Sequence, residues 1–162
     1  MRPQEHSNQF VLKADPDDDL RDRLLKAFWQ ELDSRSPRSL DVSGDTISFR
    51  GGVFRLVSSW NLLAPIGRGE IAVGTTESGL AVSYRISFRE LIVVVTVMIL
   101  TMMFLILSSE GVEKLPVIAS LLGIGWLYMV TASIAFAIMR FNGFVRKCAM
   151  SAGATEIQKV KQ

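Results

Sequence analysis

The sequence predicts an α+β membrane protein, in which an N-terminal amphipathic helix and a four-stranded antiparallel meander precede a hairpin of two transmembrane helices. Three observations support this fold class. Residues 91 to 107, LIVVVTVMILTMMFLIL, contain no charged side chain, and with its flanks such a helix covers the roughly 30 Å hydrocarbon core of a bilayer. A second apolar run follows at residues 117 to 139. Before both runs, two stretches alternate apolar and polar residues as half-buried strands do.

Composition narrows the class of function. The 162 residues leave room for one small soluble domain of about 90 residues beside the helical hairpin. Of the 18 basic and 16 acidic residues, 12 and 13 precede residue 91, so the soluble domain is close to neutral. It has no basic stripe, and we expect no nucleic-acid partner. The start of the chain is polar and lacks the apolar core of a signal peptide, so the first apolar run is expected to direct insertion.

The soluble part begins with two predicted segments. Residues 1 to 16 show no periodicity and are predicted to be flexible. Residues 17 to 87 form the predicted cytoplasmic α+β domain, which starts with an amphipathic helix. We expect its apolar stripe to cover the sheet of the same domain; alternatively, the stripe lies on a membrane or binds a partner helix. The stripe consists of Leu20, Leu24, Leu25, Phe28, Trp29 and Leu32.

A first hairpin is predicted around two glycines. Gly51 and Gly52 fit a two-residue type I′ turn, whose positive φ angles favour glycine. This turn places Phe49 opposite Phe54, and the apolar residues of both strands then share one face.

A second hairpin is predicted around Ser78 and Gly79. This turn places Val73 opposite Tyr84, again with apolar side chains on one face. The two hairpins together make the four-stranded meander, which needs a helix or another layer on its apolar side.

The connection between the hairpins is unusually apolar for a loop. Three interpretations are open: the connection dips into the membrane with a basic residue at headgroup level, contacts another protein, or folds under the edge of the sheet. The residues concerned are Trp60, Leu62, Leu63, Ile66 and Arg68.

The boundaries of the transmembrane hairpin follow from local signals. Ser87 and Glu90 form an S-x-x-E capping box directly after the last strand, so strand and helix are nearly continuous. Asn142 and Gly143 are typical of a helix end. The predicted segments are transmembrane helix 1 at 88 to 109, an extracytoplasmic loop at 110 to 115, transmembrane helix 2 at 116 to 142, and a basic cytoplasmic tail at 143 to 162.

The orientation follows from the basic residues beside the spans. Five of them lie on the domain side, whereas the connecting loop has only Lys114 beside two glutamates. The positive-inside rule therefore predicts an inner-membrane protein with both termini in the cytoplasm. The five residues are Arg85, Arg89, Arg140, Arg146 and Lys147.

The second span carries a predicted packing seam. Small residues and one tryptophan recur at alternating spacings of four and three, which is a heptad pattern. The seam consists of Ala119, Gly123, Trp126, Val130, Ser133 and Ala137. The opposite face offers a second small-residue surface, at Gly125, Tyr128, Ala132 and Ala135. Because one neighbouring helix occupies only one face, we expect a second contact, either with another copy or with another membrane protein.

Catalytic chemistry is not indicated. The lone histidine, His6, lies in the N-terminal segment, and no Ser-His-acid, Cys-His or histidine-metal set can be built from it. The sequence predicts no metal and no cofactor, and neither phosphate-binding glycine motif occurs. Cys148 stands beside Arg146 and Lys147, which would favour its thiolate, yet a lone cysteine next to a membrane span is usually incidental. Both spans lack the ionisable residues of ion and proton pathways.

The sequence therefore predicts a non-catalytic accessory or scaffolding subunit of an inner-membrane assembly. Its second helix would pack laterally, and its cytoplasmic domain would bind a partner. The alternative is a homo-oligomeric membrane sensor or small channel with a cytoplasmic ligand-binding domain.

Overall fold

The computed structural model describes residues 5–12, 18–51, 62–63, 65–76, 79–110, 115–153 and 157–159. These residues form an antiparallel sheet and three helices, and two of the helices are long and apolar enough to cross a membrane. The α+β class is thereby confirmed. In chain order the elements are β1 Glu5–Leu12, α1 Asp18–Asp33, β2 Ser39–Ser43, β3 Thr46–Arg50, β4 Arg68–Thr76, β5 Gly79–Ser87, α2 Arg89–Glu110, α3 Leu115–Ser151 and β6 Ile157–Lys159.

The sheet has five strands of five residues or more, not four, and a short sixth strand at one edge. Its order is β2-β3-β4-β5-β1-β6. The N-terminal segment predicted to be flexible contains β1, which pairs with β5 from Glu5 opposite Ser87 to Leu12 opposite Leu80. The alternation of β1 is hidden in the sequence because its core side carries the polar residues His6 and Asn8 before Phe10 and Leu12. The predicted basic tail likewise contributes β6, which pairs with β1.

The first hairpin joins β2 and β3, and the prediction around Gly51 and Gly52 is wrong. Ser43 lies opposite Thr46, so residues 44 and 45 make the two-residue turn, where Gly44 has a φ of 56°. The other edge of β3 pairs with β4. Both edges of β3 are therefore occupied, and the predicted partner strand at residues 53 to 57 lies outside the described residues.

The second hairpin joins β4 and β5 as predicted, but its register differs by two residues. Val73 lies opposite Val82, and Ile71 lies opposite Tyr84. Gly79, which was predicted to lie in the turn, belongs to β5 and pairs with Thr76. A shift of two preserves which side chains face the core, because side chains alternate with a period of two.

The core lies between the sheet and two helices on one face. The prediction that α1 covers the sheet is confirmed, since Leu20, Leu24, Phe28 and Leu32 are buried there, whereas Trp29 is 42% exposed. The second covering element is the C-terminal part of α3. Its buried residues in this core are Ala137, Phe141, Phe144, Val145, Cys148 and Ala149.

The aromatic centre of the core belongs to α3. The Phe141 ring centroid lies 4.9 Å from that of Tyr84, 6.0 Å from that of Phe49 and 5.5 Å from that of Phe144. Residues 141 to 151 therefore form part of the domain rather than a tail.

Helix α3 continues past the predicted end at Asn142 and Gly143. With 37 residues it is about 55 Å long, well beyond the roughly 30 Å hydrocarbon core. Neither residue stops the helix, because the apolar pattern resumes at Phe144 and the burial of that turn against the sheet stabilises it.

The other connection between sheet and helices is equally short. Only Phe88, which is buried, separates the end of β5 from the start of α2. The near-continuity of strand and helix predicted from the sequence is confirmed. The domain is thus joined to the apolar hairpin through one residue at α2 and through an unbroken helix at α3.

Candidate functional site

Most of the large hydrophobic side chains that are exposed among the described residues lie on the two apolar helices. Only 11% of the most apolar 18-residue window of each helix is buried. A core helix of a soluble protein would be mostly buried, so both helices need a cover that the described residues do not supply. The largest exposed side chains include Phe104, Leu105, Leu121, Ile124, Leu127, Tyr128 and Met139.

Helices α2 and α3 pack against each other through a short apolar cluster. Leu91, Val95 and Val130 form its buried part. Trp126 lies beside it and donates its indole N–H to Thr96 Oγ1, over 3.0 Å. The Thr96 hydroxyl donates in turn to the carbonyl of Ile92, over 2.7 Å. The tryptophan thereby satisfies its donor within the hairpin, which an apolar surrounding requires.

The predicted seam coincides only in part with this contact. Trp126, Val130 and Ser133 lie on the packed side, and Ala137 packs into the core of the domain. Ala119 and Gly123, by contrast, are exposed. Positions that follow a strict heptad drift by about 20° around a straight helix with every seven residues. The first positions of the predicted seam therefore no longer face α2. The half-buried positions there are Ile118 and Leu122.

The exposed side of α3 combines small residues with one tyrosine. A methyl group added at Gly123 would meet nothing within 4 Å. Tyr128 is 75% exposed near the middle of the apolar run. The predicted small-residue surface is therefore open over three of its four members, and Gly125 is half-buried. The exposed members are Tyr128, Ala132 and Ala135.

The described residues of the apolar connection before β4 pack into the domain, as the third of the three interpretations expects. Leu62, Leu63 and Ile66 are buried in the domain core, and Trp60 falls outside the described residues. Gly51 allows this packing, since a Cβ there would lie 2.2 Å from the carbonyl oxygen of Ile66. Glycine is therefore needed at position 51 because the backbone of Leu63 and Ile66 passes close to it, and not because it forms a turn. Arg68, the basic residue of this set, is exposed.

A polar contact that the sequence did not indicate joins the sheet to α3. The Tyr84 hydroxyl donates to Asn142 Oδ1 over 2.5 Å, and Asn8 Nδ2 donates to the same oxygen over 3.4 Å. Burial raises the pKa of Tyr84, and its hydrogen bond with Asn8 opposes the rise. The burial of Asn8 is explained by this contact. In the sequence, this contact is indicated only by Asn142, a polar residue in an otherwise apolar turn of the helix.

Cys148 is buried between α3 and α1. Its side chain is 1% exposed, and burial together with the nearby Glu31 carboxylate raises the pKa of the thiol to about 12, against the effect of Arg35 and Lys147. Lys147 does favour the thiolate, as its position in the sequence indicates, but desolvation outweighs the two cations, so the pKa is raised rather than lowered. Lys147 pairs with Glu31 at 3.3 Å, which links α3 to α1.

The described residues show no group of three or more histidine, cysteine, aspartate and glutamate side chains placed to hold a metal ion. No family of known proteins, no curated protein and no solved structure matches the chain.

Proposed function

We propose that the protein is a non-catalytic accessory or scaffolding subunit of an inner-membrane assembly, with α2 and the first two thirds of α3 in the bilayer and both termini in the cytoplasm. The exposed face of α3 binds the helix of another membrane protein or of a second copy. The cytoplasmic domain holds that helix in a fixed orientation.

The observation that carries the proposal is the environment of Tyr128. Its hydroxyl lies on an exposed helix face, near the middle of a segment that hydrocarbon would surround. A hydroxyl in hydrocarbon loses its hydrogen bonds with water and gains none, which costs free energy. Ala132 and Ala135 lie on the same exposed side of the helix. Because their side chains are small, a neighbouring helix can approach closely there and offer a hydrogen-bond acceptor to the Tyr128 hydroxyl.

The rigid attachment of α3 supports the scaffolding role. A helix that runs without interruption from the apolar segment into the domain core cannot rotate independently of the sheet. A partner bound on the exposed face of α3 is thus held at a fixed angle to the cytoplasmic domain.

The test is co-purification of the tagged full chain from native membranes in mild detergent, with light scattering to measure assembly size. The wild-type chain is expected to carry a membrane protein, or a second copy, in fixed proportion. Tyr128→Leu removes the hydroxyl and most of the ring, and should lower the retained partner about fivefold.

Phe104→Leu is the matched control, because Phe104 is 69% exposed on α2 and also loses an aromatic ring. It should retain the partner. A wild-type chain that purifies as a monomer without a partner would overturn the proposal, as would an equal loss in both variants.

A further inference from the structure

One row of cross-strand neighbours at the end of the sheet nearest α2 is strongly charged. On the face opposite the core, Arg50 lies directly opposite Arg68, Arg68 opposite Ser87, and Ser87 opposite Glu5. Like charges in directly opposed positions of a sheet repel each other and lower its stability. The two arginines therefore occupy positions that a bound anion would stabilise.

The row borders a groove of about 410 Å³ that α2 completes. Arg89 and Glu90, the first two residues of α2, line it together with Glu5, Arg50 and Arg68. Within the described part of the chain, none of these five charged side chains forms an ion pair. Three cations and two carboxylates thus face one groove without neutralising one another.

The Glu90 side chain lies close to the backbone at Gly67. The Gly67 N–H donates to the Ser87 carbonyl over 2.9 Å, which fixes the start of β4 beside the end of β5. A Cβ at position 67 would lie 3.0 Å from Cγ and Cδ of Glu90. The Glu90 side chain therefore lies against Gly67, at the wall of the groove.

The groove lies at headgroup level if α2 crosses the bilayer, so the inference rests on the membrane placement in the proposed function. The 22 residues of α2 span about 33 Å, close to the thickness of the hydrocarbon core. Arg89 at its first position is then at the boundary between hydrocarbon and headgroups. A lipid of the cytoplasmic leaflet reaches the groove without leaving the membrane.

We propose that this groove binds a phosphodiester that carries a primary ammonium, the chemistry of an ethanolamine phospholipid headgroup. Arg50, Arg68 and Arg89 donate to the phosphate oxygens, and guanidinium groups bind phosphate through paired N–H donors. Glu5 and Glu90 accept from the ammonium. A simple anion site would be weakened by the two carboxylates, whereas a headgroup with both charges uses all five side chains.

The test measures lipid binding to the purified full chain by native mass spectrometry in mild detergent. Four probes distinguish a lipid headgroup from free phosphate as the ligand: phosphatidylethanolamine, phosphatidylcholine and phosphatidylglycerol with matched acyl chains, and inorganic phosphate. Phosphatidylethanolamine should bind about tenfold more tightly than the other two lipids, because only its headgroup offers both a phosphate and N–H donors. Inorganic phosphate should not displace it at equal concentration.

Two variants separate the roles of the charges. Arg68→Gln should weaken phosphatidylethanolamine binding about tenfold, and Glu90→Gln should abolish the preference over phosphatidylcholine. Arg146→Gln and Asp41→Asn, which change exposed charges elsewhere, should leave binding unchanged. Equal binding of the three lipids, or displacement by phosphate, would overturn the assignment.

Failure of this inference is distinguishable from failure of the membrane placement. Native membranes that contain the wild-type chain are washed with alkaline carbonate. A chain that stays in the membrane but shows no lipid preference contradicts the groove assignment alone. A chain released by the wash contradicts the membrane placement itself.

Discussion

Burial decides the chemistry of Cys148 more strongly than its sequence neighbours do. The adjacent Lys147 is engaged with Glu31, and that carboxylate also disfavours the thiolate. A thiol in this environment stays protonated and reacts slowly with oxidants and alkylating reagents. Cys148 is therefore a packing residue rather than a redox or nucleophilic group.

The raised pKa of Cys148 predicts a loss of stability at alkaline pH. Below pH 9.0, the ordinary value, the thiol is protonated in both the folded and unfolded chain. As the pH rises from 9.0 toward about 12, the unfolded chain ionises while the folded chain does not, so the free energy of unfolding falls. At pH 10.5 the loss is about 2 kcal/mol.

Thermal unfolding of wild type and Cys148→Ala in detergent between pH 8 and 10.5 checks this prediction. Cys148→Ala should show the shallower decline, by about 4 to 8 °C over this range. Burial of Tyr84 contributes equally in both chains and cancels in the comparison. Parallel declines would contradict the prediction.

At the scale of single residues, the sequence predicted which side chains face the core but not why individual glycines and asparagines are needed. Ile47, Phe49 and Val73 are buried as their alternation indicates. Gly51 was assigned to a turn, whereas its function depends on a loop 12 to 15 residues later in the chain. Contacts between segments distant in sequence leave no local pattern.

At the scale of elements, the sequence predicted which side of a strand faces the core, but not which strands pair with each other. The hairpin of β4 and β5 kept its faces despite a register error of two, because apolar side chains alternate with that period. The position of β1 between β5 and β6 depends on pairs that are at least 68 residues apart in the chain. Nothing in the periodicity of a strand identifies such a partner.

The end of α3 shows the same limit in a helix. Asn142 and Gly143 have the residue types of a helix terminus, yet their surroundings are helical on both sides. Asn142 binds Tyr84 instead of capping the helix, and Gly143 does not adopt a positive φ. The energy of packing residues 144 to 149 against the sheet outweighs the weak local stop signal.

Substitutions at Gly143 distinguish a helix interior from a helix end. A Cβ there would meet nothing within 4 Å, so Gly143→Ala should raise the free energy of unfolding by about 0.5 to 1 kcal/mol through helix propensity. Gly143→Pro removes a helical N–H and should lower it by about 3 kcal/mol or more. Thermal unfolding in detergent measures both, and a destabilised Gly143→Ala would show that the helix ends there.

At the scale of the whole molecule, the sequence predicted the two long apolar helices and the direct junction of the last strand with α2, but not the second junction, through α3. The attachment depends on the burial of Phe88 and Phe141 at the two junctions. Because both junctions are packed into one core, a force on the exposed face of α3 reaches the sheet directly. The scaffolding role that we propose depends on this continuity.

The placement of charges at these junctions predicts one orientation in the membrane. Arg89 at the start of α2 and Arg140 in α3 lie on the side of the domain, and the Arg140 guanidinium carbon lies 5.5 Å from the Phe136 ring centroid. Moving these cations across the bilayer is costly, so we expect the sheet in the cytoplasm, and the end of α2 and the start of α3 on the far side.

Single cysteines in a Cys148→Ala background test this orientation. Ser43→Cys lies at an exposed position of β2, and Ser108→Cys at an exposed position near the end of α2. A membrane-impermeant maleimide added to intact spheroplasts should label Ser108→Cys at least tenfold more than Ser43→Cys, and permeabilisation should make the labelling of both comparable. Labelling of Ser43→Cys in intact spheroplasts would contradict this orientation and place the sheet outside. A partner bound on the exposed face of α3 would then be held beside a domain in the opposite compartment.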